Sequence, residues 1–240
     1  MKLRSAALTD IGRVRRKNED SYLQDDQLRA FGVADGVGGL PGGADASQTT
    51  IEGIREALAR LNPRRASDLV PLVLRINESV SGLGDEISPG VGIGTTLTFG
   101  VCTPTHLLLA HVGDSRCYLW RKGRLEMLTE DHSVENEARH RRARGESFDY
   151  ADRYRNALTR CIGQPTSPLV DVSEHPLAVG DLYLFATDGV TRMVEDRELA
   201  EILAQPDSLE KRLATLIERA NDQGGPDNST AVLVLVEDLR

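Results

Sequence analysis

The hydrophobic positions change period several times along the chain. Short alternating pieces at residues 6–9, 21–24 and 30–34, separated by polar turns, predict strands. The glycine-rich run DGVGGLPGGAD, residues 35–45, predicts a loop. Helical spacing follows, first as Ile51, Ile54, Leu58 and Leu61, closed by Asn62-Pro63. A second stripe, Leu69, Val73, Ile76, Val80 and Leu83, predicts another helix with Ser67 as its N-cap. Both stripes read as core. After a glycine-rich stretch at 82–94, residues 95–102, 106–112, 117–120 and 125–128 read as strands. The turns at 103–105, 113–115 and 121–124 are short enough to predict antiparallel hairpins. Residues 131–160 are polar and arginine-rich, without a clear period. A strand at 182–186 precedes a short helix capped by Asp196 and carrying Leu199, Ile202 and Leu203. A longer helix from about Ser208 buries Leu209, Leu213, Leu216, Ile217 and Ala220 and closes at Gly224. The final run, STAVLVLV, is apolar at nearly every position, as a strand covered on both faces must be. Runs of strands with paired helices predict an α+β layered fold, not alternating βαβ units, and a single domain over 1–240 without linker or repeat.

Composition narrows the function more than the fold. Hydrophobic residues make up 40% and charged residues 28% of the 240, the balance of an ordinary globular chain. With 29 Lys and Arg against 37 Asp and Glu, the net charge of −8 disfavours a nucleic-acid partner. Cys102, Cys117 and Cys161 form no C-x-x-C pair, so reduced thiols are expected, with neither a disulfide frame nor a cysteine zinc site. The N-terminal run MKLRSAALTD lacks the continuous apolar core of a signal peptide, and no stretch approaches the ~20 apolar residues of a membrane span. A cytoplasmic protein without a membrane partner is expected.

The carboxylate surplus is not scattered. Asp20 immediately precedes a strand, Asp35, Asp114 and Asp188 each follow one, and Asp227 precedes the last. A lone Asp-Gly after a strand is usually a turn. Five such acids can converge on one sheet edge, where burial and mutual repulsion would be severe unless cations sat among them. Oxygen-only ligands select hard ions such as Mg²⁺ or Mn²⁺. His106, His111, His132, His140 and His175 show no paired spacing, which argues against zinc. Two hard ions bridged by a carboxylate are a recurrent device of phosphoryl chemistry.

Eight segments carry a family resemblance: Arg15-x-x-Asn18-Glu19-Asp20, Val33-Ala34-Asp35-Gly36-Val37-Gly38-Gly39, Gly94-Thr95-Thr96, Gly113-Asp114-Ser115-Arg116, Asp131-His132-Ser133, Leu158-Thr159-Arg160, Ala186-Thr187-Asp188-Gly189 and Gly225-Pro226-Asp227-Asn228. In this order the chain resembles the metal-dependent Ser/Thr protein phosphatases, type 2C or PPM, in their compact bacterial form. The resemblance implies a four-layer α/β/β/α sandwich of two antiparallel sheets flanked by paired helices. It implies hydrolysis of phosphoserine and phosphothreonine on proteins by a hydroxide bridging two Mn²⁺ or Mg²⁺ ions. Asp35 would bridge both ions, with Glu19 and the Gly36 carbonyl on one and Asp188 and Asp227 on the other. Asp114, with Asp188, would hold a weaker third ion. Asp20 would bond a metal-bound water, Arg15 would clamp the phosphate, and Thr95 and Asn228 would order the ligands. A Ser/Thr kinase of eukaryotic-like type and its targets are the implied partners, and a monomer the implied state.

Two positions depart from the family pattern. Val37 and Leu40 stand where many members carry histidine, so no histidine general acid is supported. The segment 131–160 occupies the place of the family's flap, is short, and carries Arg139, Arg141, Arg142 and Arg144 as candidates for substrate docking. His132 reads as a histidine satisfying a turn, and Ser115 and Cys161 read as structural. Two other readings compete with the protein phosphatase: an inactive relative that only binds phosphoproteins, and a two-metal phosphoesterase acting on a small molecule.

Overall fold

A computed structural model describes residues 1–39 and 41–240. Leu40 lies outside the described residues. Strands β1 (Lys2–Asp10), β2 (Asp20–Asp25) and β3 (Ala30–Asp35) lead into helices α1 (Gly43–Leu58) and α2 (Val70–Ile87). Then come β4 (Leu97–Cys102), β5 (His106–Val112), β6 (Arg116–Arg121), β7 (Arg124–Met127) and helix α3 (Val134–Ala143). The chain continues through β8 (Asp171–Pro176), β9 (Leu182–Ala186), α4 (Asp188–Thr191), α5 (Asp196–Leu203), α6 (Leu209–Asp222) and β10 (Ser229–Asp238).

The strands form two five-stranded sheets, β1-β10-β9-β6-β7 and β2-β3-β4-β5-β8. Every pairing is antiparallel. Strand alternation divides the core into layers. On β9 and β10, Tyr183, Phe185, Val232 and Val234 face the other sheet and meet Phe31, Val33, Leu107 and Leu109. Their neighbours Leu182, Leu184, Ala231 and Leu233 face outward against Leu199 of α5 and Leu213, Leu216 and Ile217 of α6. The second sheet packs its outer face, with Leu23, Phe99 and Leu108, on the stripes of α1 and α2. Helix pair, sheet, sheet, helix pair is the predicted four-layer sandwich, and β10 is apolar from Ala231 to Val236 because both its faces are covered there.

The most consequential departure concerns β5 and β6, which were expected to form a hairpin. They belong to different sheets, and residues 113–115 carry the chain from one to the other. A three-residue link reads the same in either case; the pairing is decided by which partners complete each sheet. Other differences are local. Helix α1 begins at Gly43, inside the expected glycine loop, and stops before the exposed Leu61. Ser67 caps nothing; it lies in a 3₁₀ turn, Ala66–Leu69, whose entry is held by Asp68 accepting from the Arg64 and Arg65 amides. Glu195, not Asp196, precedes α5 as its N-cap. Residues 131–160 contain α3, whose only buried residue is Ala138, and β8 is a half-exposed edge strand. Among the described residues, no helix is long and apolar enough to cross a membrane.

Candidate metal centre

Acids from both sheets meet at one end of the sandwich. Asp20 opens β2 and Asp35 ends β3, directly opposite each other in the ladder. The Asp35 backbone is pinned from β4: its amide donates to Thr96 Oγ1 at 2.9 Å, and its carbonyl accepts from the Thr96 amide and from Thr95 Oγ1, both at 2.8 Å. Gly36 is required by close approach, since a Cβ there would lie 2.4 Å from the Gly43 carbonyl oxygen. From the other sheet, Asp188 starts α4 immediately after β9. A Cβ on Gly189 would come within 1.9 Å of the Asn228 carbonyl oxygen, so only glycine lets this turn sit against the loop bearing Asp227. Asp114 arrives on the crossover between sheets.

Asn228 fastens the remaining loop. Its Oδ1 accepts from the Glu19 amide at 2.8 Å, and its Nδ2 donates to the carbonyls of Ile11 and Lys17, each at 2.9 Å. Residues 11–19, which carry Arg15 and Glu19, are thereby tied to Asp227. Arg15 Nη2 donates to Asp227 Oδ2 at 2.7 Å.

Electrostatically these acids are uncomfortable. Burial pushes Asp20 up to about 7; the nearby hydroxyls of Thr230 and Thr187 oppose that rise, while Asp188 and Asp227 add to it. Asp35 is pushed well above the usual carboxylate range by burial and then by Asp20, Asp188, Asp114 and Asp227. Asp114 rises to about 7, again by burial first and Asp188 second. Burial also raises Asp188, against the pull of Arg192. Asp20 Oδ2 accepts from Thr187 Oγ1 at 2.9 Å, whereas its Oδ1 is buried without any partner. Buried, mutually repelling oxygen donors with an orphaned acceptor fit hard divalent cations. Among the described residues, no three donors are already closed around one point. They are spread around the site, and Arg15 and Arg192 supply the positive charge between them.

Asp35, Asp114, Asp188 and Asp227 border an open cavity of about 490 Å³ that Arg15, Val37 and Leu158 also line, while Asp20 lies buried behind Asp35. A larger cavity, about 650 Å³, lies at the opposite strand ends around Leu28, Arg29 and Pro104, and no carboxylate lines it. Of these two, the first brings carboxylates and arginine together as phosphate chemistry requires.

Other expected residues fall as follows. Thr95 holds the Asp35 carbonyl, and Glu19 lies against Gly43 at the start of α1. His132 satisfies a turn: its Nδ1 accepts from the Gly113 amide at 3.0 Å, so Nε2 carries the proton and donates to Asp171 at 3.0 Å. Ser115 Oγ bonds Thr96 Oγ1 at 2.7 Å, and burial raises the Cys161 thiol. Arg139, Arg141 and Arg144 pair with Glu130, Glu137 and Glu146, and Arg142 reaches the Phe148 carbonyl. They lie on and just after α3, outside the acid-lined cavity. Sequence reasoning missed Arg192, Thr96 and Thr187. Arg192 left one signal, its place four residues after Asp188, where a helical turn points it back at that acid.

Comparison with known proteins gives the family. The family described as Protein phosphatase 2C matches residues 12–229. The serine/threonine phosphatase Stp of Listeria welshimeri is 31% identical over 234 residues, covering 94% of this chain and 93% of the relative. The serine/threonine protein phosphatase PstP of Mycobacterium tuberculosis is 36% identical over 245 residues, covering 98% of this chain and 45% of PstP. The crystal structure of the PstP catalytic domain, in complex with 2 manganese ions, superposes with a TM-score of 0.84 at 31% identity, covering 98% of this chain and 99% of that one. The S. agalactiae serine/threonine phosphatase superposes with a TM-score of 0.86 at 30% identity, covering 98% of this chain and all of the other. With the match running from the loop before Arg15 to the first residue of β10, the chain belongs to the protein phosphatase 2C family.

Proposed function

We propose that this chain is a Mn²⁺- or Mg²⁺-dependent protein serine/threonine phosphatase whose reaction runs at the acid-lined cavity, with residues 1–240 acting as one catalytic domain. The observation that carries the reading is the set of buried aspartates from both sheets, repelling one another around a cavity that Arg15 also lines. Asp35, pinned at the centre, would be shared between the ions, which Glu19 and the Gly36 carbonyl on one side and Asp188 and Asp227 on the other would help to hold. When bound, the ions supply Lewis acidity that activates water and offsets phosphate charge. Asp20, buried and with Oδ1 unpartnered, offers an acceptor that orients and deprotonates a water beside Asp35. Arg15 exchanges its Asp227 partner for phosphate oxygens, which its planar fork suits. Asn228 and Thr95 hold the loops that present these groups. Val37 and Leu158 give the substrate's carbon chain an apolar wall. None of these steps asks Ser115 or Cys161 to act as a nucleophile.

The substrates follow from the family: phosphoproteins, here read as products of a eukaryotic-like Ser/Thr kinase. The deciding assay is Mn²⁺-dependent phosphate release from a phosphothreonine peptide, compared with nucleotide and sugar phosphates, by the wild type and Asp35→Asn. The variant should lose at least ~10³-fold in kcat, roughly 4 kcal/mol of barrier. Folded Asp35→Asn that keeps more than about a tenth of the activity would overturn the bridging role. Preference for sugar or nucleotide phosphates would transfer the reading to a small-molecule phosphoesterase. Binding of the phosphopeptide without turnover would leave only a phosphoprotein-binding relative.

A further inference from the structure

Arg192 occupies the point where a third ion would have to bind. It directly follows α4, and its Nη2 donates to Asp114 Oδ2 at 2.7 Å. The same nitrogen lies 2.9 Å from Asp188 Oδ2. One guanidinium nitrogen therefore joins two carboxylates that reach the cavity from different directions, Asp114 on the crossover and Asp188 at the start of α4. Asp114 is buried, the Asp188 side chain is 13% exposed, and that of Arg192 is 35% exposed. A guanidinium is not deprotonated in proteins, so the group facing both carboxylates carries a permanent positive charge.

A hard divalent ion at this pair would need the same two oxygens at about 2.0–2.2 Å, with the remaining positions filled largely by water. Nitrogen and metal cannot both have them. To enter, the ion must break two charge-assisted contacts, which are roughly twice as strong as neutral hydrogen bonds. It must also expel a cation that is covalently tethered one helical turn from Asp188 and so is always present at high local concentration. Left in place, the arginine would repel the ion at close range in a partly desolvated site.

We propose that Arg192 is the resident cation of the Asp114–Asp188 pair, so that this centre binds two divalent ions and not three. The inference rests on the proposed assignment of the aspartates as ion ligands. The positive charge on this flank of the cavity is then fixed by the chain and does not vary with metal concentration.

The test counts ions instead of measuring turnover. Mn²⁺ bound per chain is measured by calorimetry and by electron paramagnetic resonance of the free ion, up to millimolar Mn²⁺. Wild type should bind two. Arg192→Met should bind three, the added site at least about tenfold tighter than any extra binding by the wild type. Asp114→Asn should leave the wild-type count at two and return the Arg192→Met count from three to two. Three ions in the wild type would overturn the proposal, as would a folded Arg192→Met that still binds two. If Arg192→Met does not fold, Asp114→Asn decides: an unchanged count supports the proposal, and loss of one ion refutes it. Fewer than two ions in the wild type would defeat the assignment of the ligands themselves, and the proposal with it.

Discussion

Asn228→Ala removes a small side chain that holds together three separate stretches of backbone. The wild-type amide is buried and makes three hydrogen bonds, to the Glu19 amide and to the carbonyls of Ile11 and Lys17. Alanine leaves all three backbone groups without that partner. At about 1 kcal/mol each, the loss is about 3 kcal/mol. For a chain of this size that predicts a fall in Tm of about 6–12 °C. The loop so released carries Glu19 and Arg15, so Mn²⁺ binding should suffer as well. If most of the anchoring energy is drawn from the bound state, affinity drops by roughly a hundredfold. Thermal melts followed by circular dichroism, with and without Mn²⁺, give the first number, and calorimetry gives the second. Asn228→Asp separates hydrogen bonding from packing: it keeps the shape but turns a carboxylate oxygen toward two carbonyls, and should be at least as damaging at neutral pH. A Tm within about 2 °C of wild type together with unchanged Mn²⁺ affinity would refute the argument, because a side chain with three satisfied buried bonds cannot be removed for nothing.

Arg15→Ala should lower kcat/KM by about 10–100-fold, the worth of a charge-assisted pair of bonds to phosphate. Its Mn²⁺ affinity by calorimetry should be no weaker than wild type, because Arg15 competes for Asp227; an equal loss of affinity would make Arg15 part of the ion site instead. His111 is buried between Thr98 and the Glu130 carbonyl, and burial first, then His132, lowers its pKa from 6.5 to about 4. The unfolded chain therefore binds the extra proton first, and stability from this group is lost as pH falls below about 6.5, reaching about 3 kcal/mol near pH 4. Urea unfolding of wild type and His111→Gln across that window should show the steeper fall in the wild type, and parallel curves would disprove the assignment. Replacing Arg139, Arg141, Arg142 and Arg144 with Ser should slow a phosphoprotein substrate at low salt and leave a small aryl phosphate unaffected. The difference should shrink as salt rises, since exposed charges act over a Debye length of ~8 Å near physiological strength; equal slowing on both substrates would mean that α3 supports the centre.

What could be read in advance followed from residues whose own neighbourhood is informative. The apolar run of β10 announced a strand covered on both faces, and the stripes of α1, α2, α5 and α6 announced their buried sides. Asp35, Asp188 and Asp227 were legible because each stands beside a strand and glycine or proline. Helix α3 was not, because a helix that buries only Ala138 has no apolar period to detect. Strand β8 was hidden for a similar reason: it is a half-exposed edge strand that ends on Pro176. The sheet change at 113–115 left no local trace, since nothing in Gly113-Asp114-Ser115 distinguishes a crossover from a hairpin. Arg192 illustrates the same limit at the site, where its i,i+4 link to Asp188 is local but its bond to Asp114 exists only once both sheets are assembled.

The pairing of β1 with β10 sets an order of events during synthesis. The first strand of the protein lies at the edge of its sheet and its partner there is the last, matched from Lys2 with Asp238 to Asp10 with Ser229. Arg15 and Glu19 precede by about two hundred residues the segment that fastens their loop, in which Gly225, Asp227 and Asn228 bond to it. At about 5–20 residues per second, the N-terminal strand waits on the order of ten seconds or more for that partner. Throughout that interval its hydrogen-bonding edge is open and Asp20 and Asp35 stand without Asp227. On the proposed assignment of the aspartates, a nascent chain would lack activity until β10 emerges, and the open edge of β1 is where premature pairing with another chain would begin.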